Sequence, residues 1–179
     1  MSKRLVKEFQ KLEQQTDAFF KMLQIFSKEQ LSYRPDGNAW SMLDVVEHLI
    51  SVESGVNRFF KKYPPNNSQF RMNIKNHILS WLMQYYLKAP SRLKAPSYLP
   101  PPKGDTSLED WRAIWAKERQ QLKHVVETLE PSKESASVFK HGISGPMNMF
   151  HVINFQKNHI IHHIHQVKRI KNHKGFPKS

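Results

Sequence analysis

Apolar side chains along this chain recur at steps of three and four, not two. Leu5, Phe9, Leu12, Thr16, Phe19, Leu23 and Phe26 keep to one helix face for about 25 residues. A second stripe runs through Val45, Leu49, Val52, Val56 and Phe59, and Pro64-Pro65 ends it. In Trp40-Ser41-Met42-Leu43-Asp44, Ser41 can cap the first turn, Asp44 takes the third helical position and Trp40 can staple onto Val45. Thr106-Ser107 followed by Glu109-Asp110 announces a third helix. Its stripe is Leu108, Trp111, Trp115, Glu118, Leu122, Val125 and Leu129, closed by Pro131. A fourth is predicted to begin at Gly145-Pro146, where proline suits the first helical position, and to run to about Asn172. Residues 63–105 carry seven of the eleven prolines and one further short helix, predicted over Asn73–Leu87.

Four long amphipathic helices without strand-like alternation predict an all-α protein, a four-helix bundle. About 13–15 residues join the first helix to the second and the third to the fourth. The roughly 40 residues between the second and third allow a long crossover connection that leaves those two helices parallel. Residues 1–179 are read as a single domain with a Pro-rich basic insertion at about 63–105. No apolar run approaches the roughly 20 residues of a bilayer span, and no signal-peptide pattern follows the basic N-terminus. A cytoplasmic location and no membrane partner are therefore expected.

Composition changes this picture in two respects. Cysteine is absent, which excludes disulfides, thiolate metal ligands and thiol nucleophiles. Lys plus Arg number 28 against 15 acidic residues, a net charge of +13. No acidic residue lies between Glu53 and Asp105, a stretch with nine Lys or Arg. That balance suits nucleic acid, an acidic partner or an anionic small molecule. Zinc-finger spacing, an RNP motif and a Gly-rich loop are all missing, so charge is the only nucleic-acid signal.

Ten histidines are present, five of them between His151 and His165. Successive helical residues turn by about 100°, so each can be assigned a face. With His163 at zero, Val152, Gln156, His159, Ile160, Gln166, Val167 and Ile170 lie within about 60° of it, on the face toward the core. His162 lies about 100° and His151 about 120° to the side, while His165 points about 160° away. His159 and His163 thus look inward together, as an i,i+4 pair that one metal ion can bridge. A third ligand must come from another helix, and His48, beside Val45 and Val52, is the histidine placed to supply it. His124 falls on an outer face; His77, His141 and His173 fall in connections or the tail. Buried imidazoles serving only as hydrogen-bonded core residues are the competing reading.

Two segments resemble the DinB-like, or YfiT-like, metal-binding four-helix bundles. One is Pro35 through Leu49, with Trp40-Ser41 and His48-Leu49 at the family's spacing. The other is Gly145-Pro146-Met147 leading to His159-Ile160-Ile161-His162-His163 and Gln166. The resemblance implies a divalent metal ion (Zn, Ni, Fe or Mn) on His48, His159 and His163, with His162 matching the family's additional histidine. Ile164-His165 departs from the Arg-Gly of many relatives. It further implies either hydrolysis or S-transfer from a low-molecular-weight thiol such as bacillithiol, mycothiol or glutathione.

Three neutral imidazoles leave an ion's charge in place with coordination positions open, a catalytic rather than structural arrangement. Gln156 and Gln166 flank the pair as candidate supporting or substrate-contacting groups. No general base is identifiable, and Asp44 is read as a cap. A small-molecule substrate is expected, with a homodimer through the His-rich flank as a further option. The alternative is a non-catalytic basic bundle that binds nucleic acid or an acidic partner.

Overall fold

Each helix of the computed structural model, which describes residues 2–36, 39–69, 71–89 and 106–178, begins at a side chain that caps it. The helices are α1 (Lys3–Leu23), α2 (Lys28–Ser32), α3 (Met42–Lys62), α4 (Ile74–Lys88), α5 (Leu108–Thr128) and α6 (Met149–Lys171). Ser2, Ser27, Ser41, Asn73, Ser107 and Asn148 each accept the backbone N–H three residues on. Such a cap contributes about 1 kcal/mol, because the first N–H groups of a helix otherwise lack partners.

The four long helices are those expected from periodicity: α1, α3, α5 and α6 form a four-helix bundle. In α1, Leu5, Phe9, Leu12, Phe19 and Leu23 are buried, and the hydroxyl of Thr16 donates to the Leu12 carbonyl. In α5 the core-facing line shifts by one residue: Arg119 and Val126 are buried where Glu118 and Val125 are only half-buried. The cause lies in α3, which buries the carboxylate of Glu53 completely. Glu53 accepts from Arg119 Nε and Nη2 and from Trp115 Nε1, each at 2.7 Å. Trp115 in turn packs edge-on against Phe19 and Phe20 of α1.

Cross-helix pairs fix the directions. Glu53 meets Trp115 and Arg119, Asn57 meets Glu118, and Asn66 meets the Thr128 carbonyl, so α3 and α5 run the same way. Arg4 over Phe150, Glu8 with Lys157 and Phe26 on Phe176 make α1 and α6 parallel. The chain between α4 and α5, which would complete a crossover, includes residues 90–105, outside the described residues.

The fourth long helix does not begin at Gly145-Pro146. Phe139–His141 (β1) and Gly145–Met147 (β2) form an antiparallel hairpin, and α6 starts at Met149 behind Asn148. Gly145 has φ +72°, the left-handed conformation that closes a short hairpin loop and that glycine adopts without strain. Pro146 therefore sits opposite Lys140 in a strand, not in a first helical turn. The extra helix predicted in the Pro-rich connection is α4, packed along α6.

Because Glu53 and Arg119 are both buried, removing one partner leaves an uncompensated charge. Arg119→Met is expected to lower the unfolding free energy by about 3–5 kcal/mol in urea denaturation. Pairing it with Glu53→Leu should recover most of that loss.

Candidate metal centre

The first turn of α3 is held from both sides. Ser41 N–H donates to Asp44 Oδ2 at 2.6 Å, Asp44 N–H donates back to Ser41 Oγ, and Arg34 pairs with Asp44 Oδ1 at 2.8 Å. One turn on, His48 faces α6, where Val152, Ile153, Ile160 and Val167 are buried around His159 and His163. His48 Nε2 lies 3.3 Å from His159 Nε2, and His163 Nε2 lies 3.0 Å from the same atom. One ring nitrogen from each of the three lies within 4.8 Å of the other two, and all three residues are buried.

These imidazoles are neutral. Burial lowers the pKa of His48 to about 4, with the charge of His162 adding to it. Burial, then the neighbouring imidazoles, holds His159 and His163 well below the ordinary histidine range. His163 Nδ1 is 2.8 Å from Gln166 Oε1. An amide oxygen only accepts, so it keeps the proton on Nδ1 and leaves Nε2 as a lone pair. His159 cannot satisfy both neighbours with one N–H, and its own Nδ1 is buried without a hydrogen-bond partner. Three converging ring nitrogens, of which at least the one on His163 presents a lone pair, suit a cation. Their 3.0 and 3.3 Å separations match the roughly 3.3 Å expected between nitrogens bound about 2 Å from one tetrahedral centre. The residues therefore fit a divalent ion.

Aromatic rings wall this cluster. Trp40, expected to staple onto Val45, packs against the core that includes Val45 and also lies against His48 (4.9 Å between centroids) and parallel to His163 (6.2 Å, 15°). Phe155 stacks on His159 at 5.3 Å and 16°. His141 of β1 meets Phe155 edge-on, at 4.6 Å and 63°. Its Nδ1 accepts the N–H groups of Ile143 and Ser144, so the ring is fixed with its proton on Nε2. Sequence position alone left His141 in a connection; the closely spaced Gly142 and Gly145 are the signal of the hairpin that brings it here.

Of the supporting candidates, Gln166 contacts His163, whereas Gln156 is buried with its Nε2 unpartnered. His162 is buried with its ring 5.1 Å from His163, outside the ligating group, and its Nδ1 has no partner. His124 is exposed. His77, in α4, pairs edge-on with His151 at 5.0 Å. His173 bonds to the Tyr33 hydroxyl. The oxygens of Asp44 and Glu53 go to the partners named above, so neither carboxylate faces the three rings as a free base.

The DinB superfamily is matched over residues 11–167. Among solved structures, YfiT from Bacillus subtilis, described as a probable metal-dependent hydrolase with an unusual four-helix bundle topology, aligns with a TM-score of 0.64. The alignment covers 99% of this chain and 91% of that one at 17% identity, a likeness of fold. No curated protein matches.

Burial lowers His141 and His151, like His48, from 6.5 to about 4. Below pH 6.5 the unfolded chain takes up protons that the folded chain refuses, so stability falls as pH drops from 6.5 toward 4. The urea midpoint of metal-free protein should decline across that window. His141→Asn, whose side-chain oxygen can still accept the turn's N–H groups, should flatten the decline.

Proposed function

The chain belongs to the DinB superfamily, and on that premise we propose that it is a metal-dependent enzyme acting on a small molecule. One divalent ion is held by Nε2 of His48, His159 and His163. The observation that carries this reading is the convergence of three neutral, buried imidazoles from two helices on one point. A metal-dependent hydrolase is the favoured reaction class, in line with the description given to YfiT. Transfer of an anionic low-molecular-weight thiol is the second reading, favoured by the net charge of +13, since such thiols carry carboxylates.

The protein's own groups have defined tasks. Gln166 holds the proton of His163 on Nδ1 and so aims its Nε2 lone pair inward. The Ser41–Asp44–Arg34 arrangement fixes the height of His48 along α3. Trp40 and Phe155 limit the tilt of the three rings and exclude water from their flanks. A divalent ion bound there supplies Lewis-acid polarisation of a substrate oxygen or sulfur. Zinc, nickel, iron and manganese all suit an imidazole set, so the ligands admit each of them.

Elemental analysis of tag-free protein should find close to one ion per chain, lost in His48→Ala and in His163→Ala. Gln166→Leu should keep the site and weaken it by about 10–100-fold, read by competition with a chelator. The metal-loaded protein, tested on ester, amide and thiol-acceptor substrates, separates hydrolysis from thiol transfer. Wild-type protein that takes up no metal even on reconstitution would leave the three histidines as core. Salt-dependent nucleic-acid binding that His163→Ala leaves untouched would favour the non-catalytic basic bundle.

A further inference from the structure

Of the ten large apolar side chains that stand exposed among the described residues, six belong to α4. Ile74, Ile78, Trp81, Leu82 and Tyr85 fall within an arc of about 100° on this helix. Ile74 is 80%, Trp81 65% and Tyr85 67% exposed. The opposite side is already occupied: Ser80 and Leu87 are buried, and Gln84 bonds to Asn158 and to the His151 carbonyl of α6. The helix thus meets the bundle through a mixed polar and apolar side, and its solvent side is the apolar one. Trp81 and Tyr85 stack upon each other at 6.0 Å and 21°.

We propose that this stripe seats α4 in the plane of an anionic lipid surface. A row of side chains on one convex helix offers no groove for a peptide, and it has the reach to enter a headgroup layer. Trp81 and Tyr85 combine an apolar ring with a polar tip, the pairing favoured at that depth. Exposed Lys75 and Lys88 border the stripe, and exposed Arg71 precedes it. No carboxylate occurs from residue 54 to residue 104, where nine Lys or Arg are found. That charge complements acidic headgroups. It opposes a second copy, because pairing the face with itself sets basic borders against each other with no acidic side chain between Glu53 and Asp105 to compensate. Among the described residues no helix is long and apolar enough to cross a membrane, a length that a helix lying on its surface does not need.

Co-sedimentation of the full chain with vesicles tests the proposal. Wild-type protein is expected to partition onto phosphatidylcholine–phosphatidylglycerol vesicles, more weakly onto phosphatidylcholine alone, and less as salt rises. Trp81→Ser combined with Tyr85→Ser, both on an exposed face, should lower partitioning at least tenfold with the melting temperature and metal content unchanged. Lys75→Glu with Lys88→Glu should abolish the preference for the acidic vesicles. Equal partitioning of wild type and the Trp81/Tyr85 variant, or none by wild type, overturns the proposal. A concentration-dependent dimer in light scattering that the same variant loses would also overturn it, in favour of a second copy.

Discussion

Three uncharged imidazoles buried edge to edge cannot satisfy one another. Each has one proton and one lone pair, and here His159 Nε2 faces the Nε2 atoms of both His48 and His163, a pair of contacts that its single N–H or lone pair cannot satisfy together. That deficit is tolerable only if the surrounding elements hold the rings against relaxing apart. The cap and ion pair at the start of α3, the Gln166 amide and the flanking rings of Trp40 and Phe155 are the restraints that do so.

The demand falls most heavily on α3. It presents His48 to α6 and, about 140° around the helix, Glu53 to α5. Between Met42 and Ile50 nearly every side chain is buried, including Asp44 and His48. The helix is gripped on several sides, and its buried carboxylates Asp44 and Glu53 each have specific partners. Buried pairs of this kind add little net stability yet penalise wrong registers, since a slip of one turn would strand a carboxylate in the core.

Much of this was readable in the residues. The long helices declared themselves through 3.6-residue periodicity, and α3 and α5 also through the serines that cap them. The three histidines that cluster between α3 and α6 emerged because one helix face and one family resemblance pointed to the same positions. The failures have specific causes. Strands of three residues are too short to show alternation, so β1 and β2 went unseen and with them the place of His141. The preference of proline for a first helical turn competed at Pro146 with the left-handed backbone of Gly145, and the glycine prevailed. The core line of α5 was drawn through Glu118 because an arginine looks like a surface residue until a buried carboxylate requires it. A helix whose apolar stripe faces solvent while Ser80 and Gln84 face the bundle, such as α4, gives a periodicity that marks the helix and misassigns its faces.

The chain separation of the proposed ligands has a kinetic corollary. His48 and His159 stand 111 residues apart, yet their rings touch. A nascent or truncated chain ending before α6 would own a single ligand, and an isolated α6 only two. High-affinity capture of an ion is thus deferred until the first and last halves of the polypeptide have met, a late event for so distant a contact. Metal acquisition would then act as a read-out of completed folding, and an ion bound earlier would be held too weakly to trap a misassembled chain.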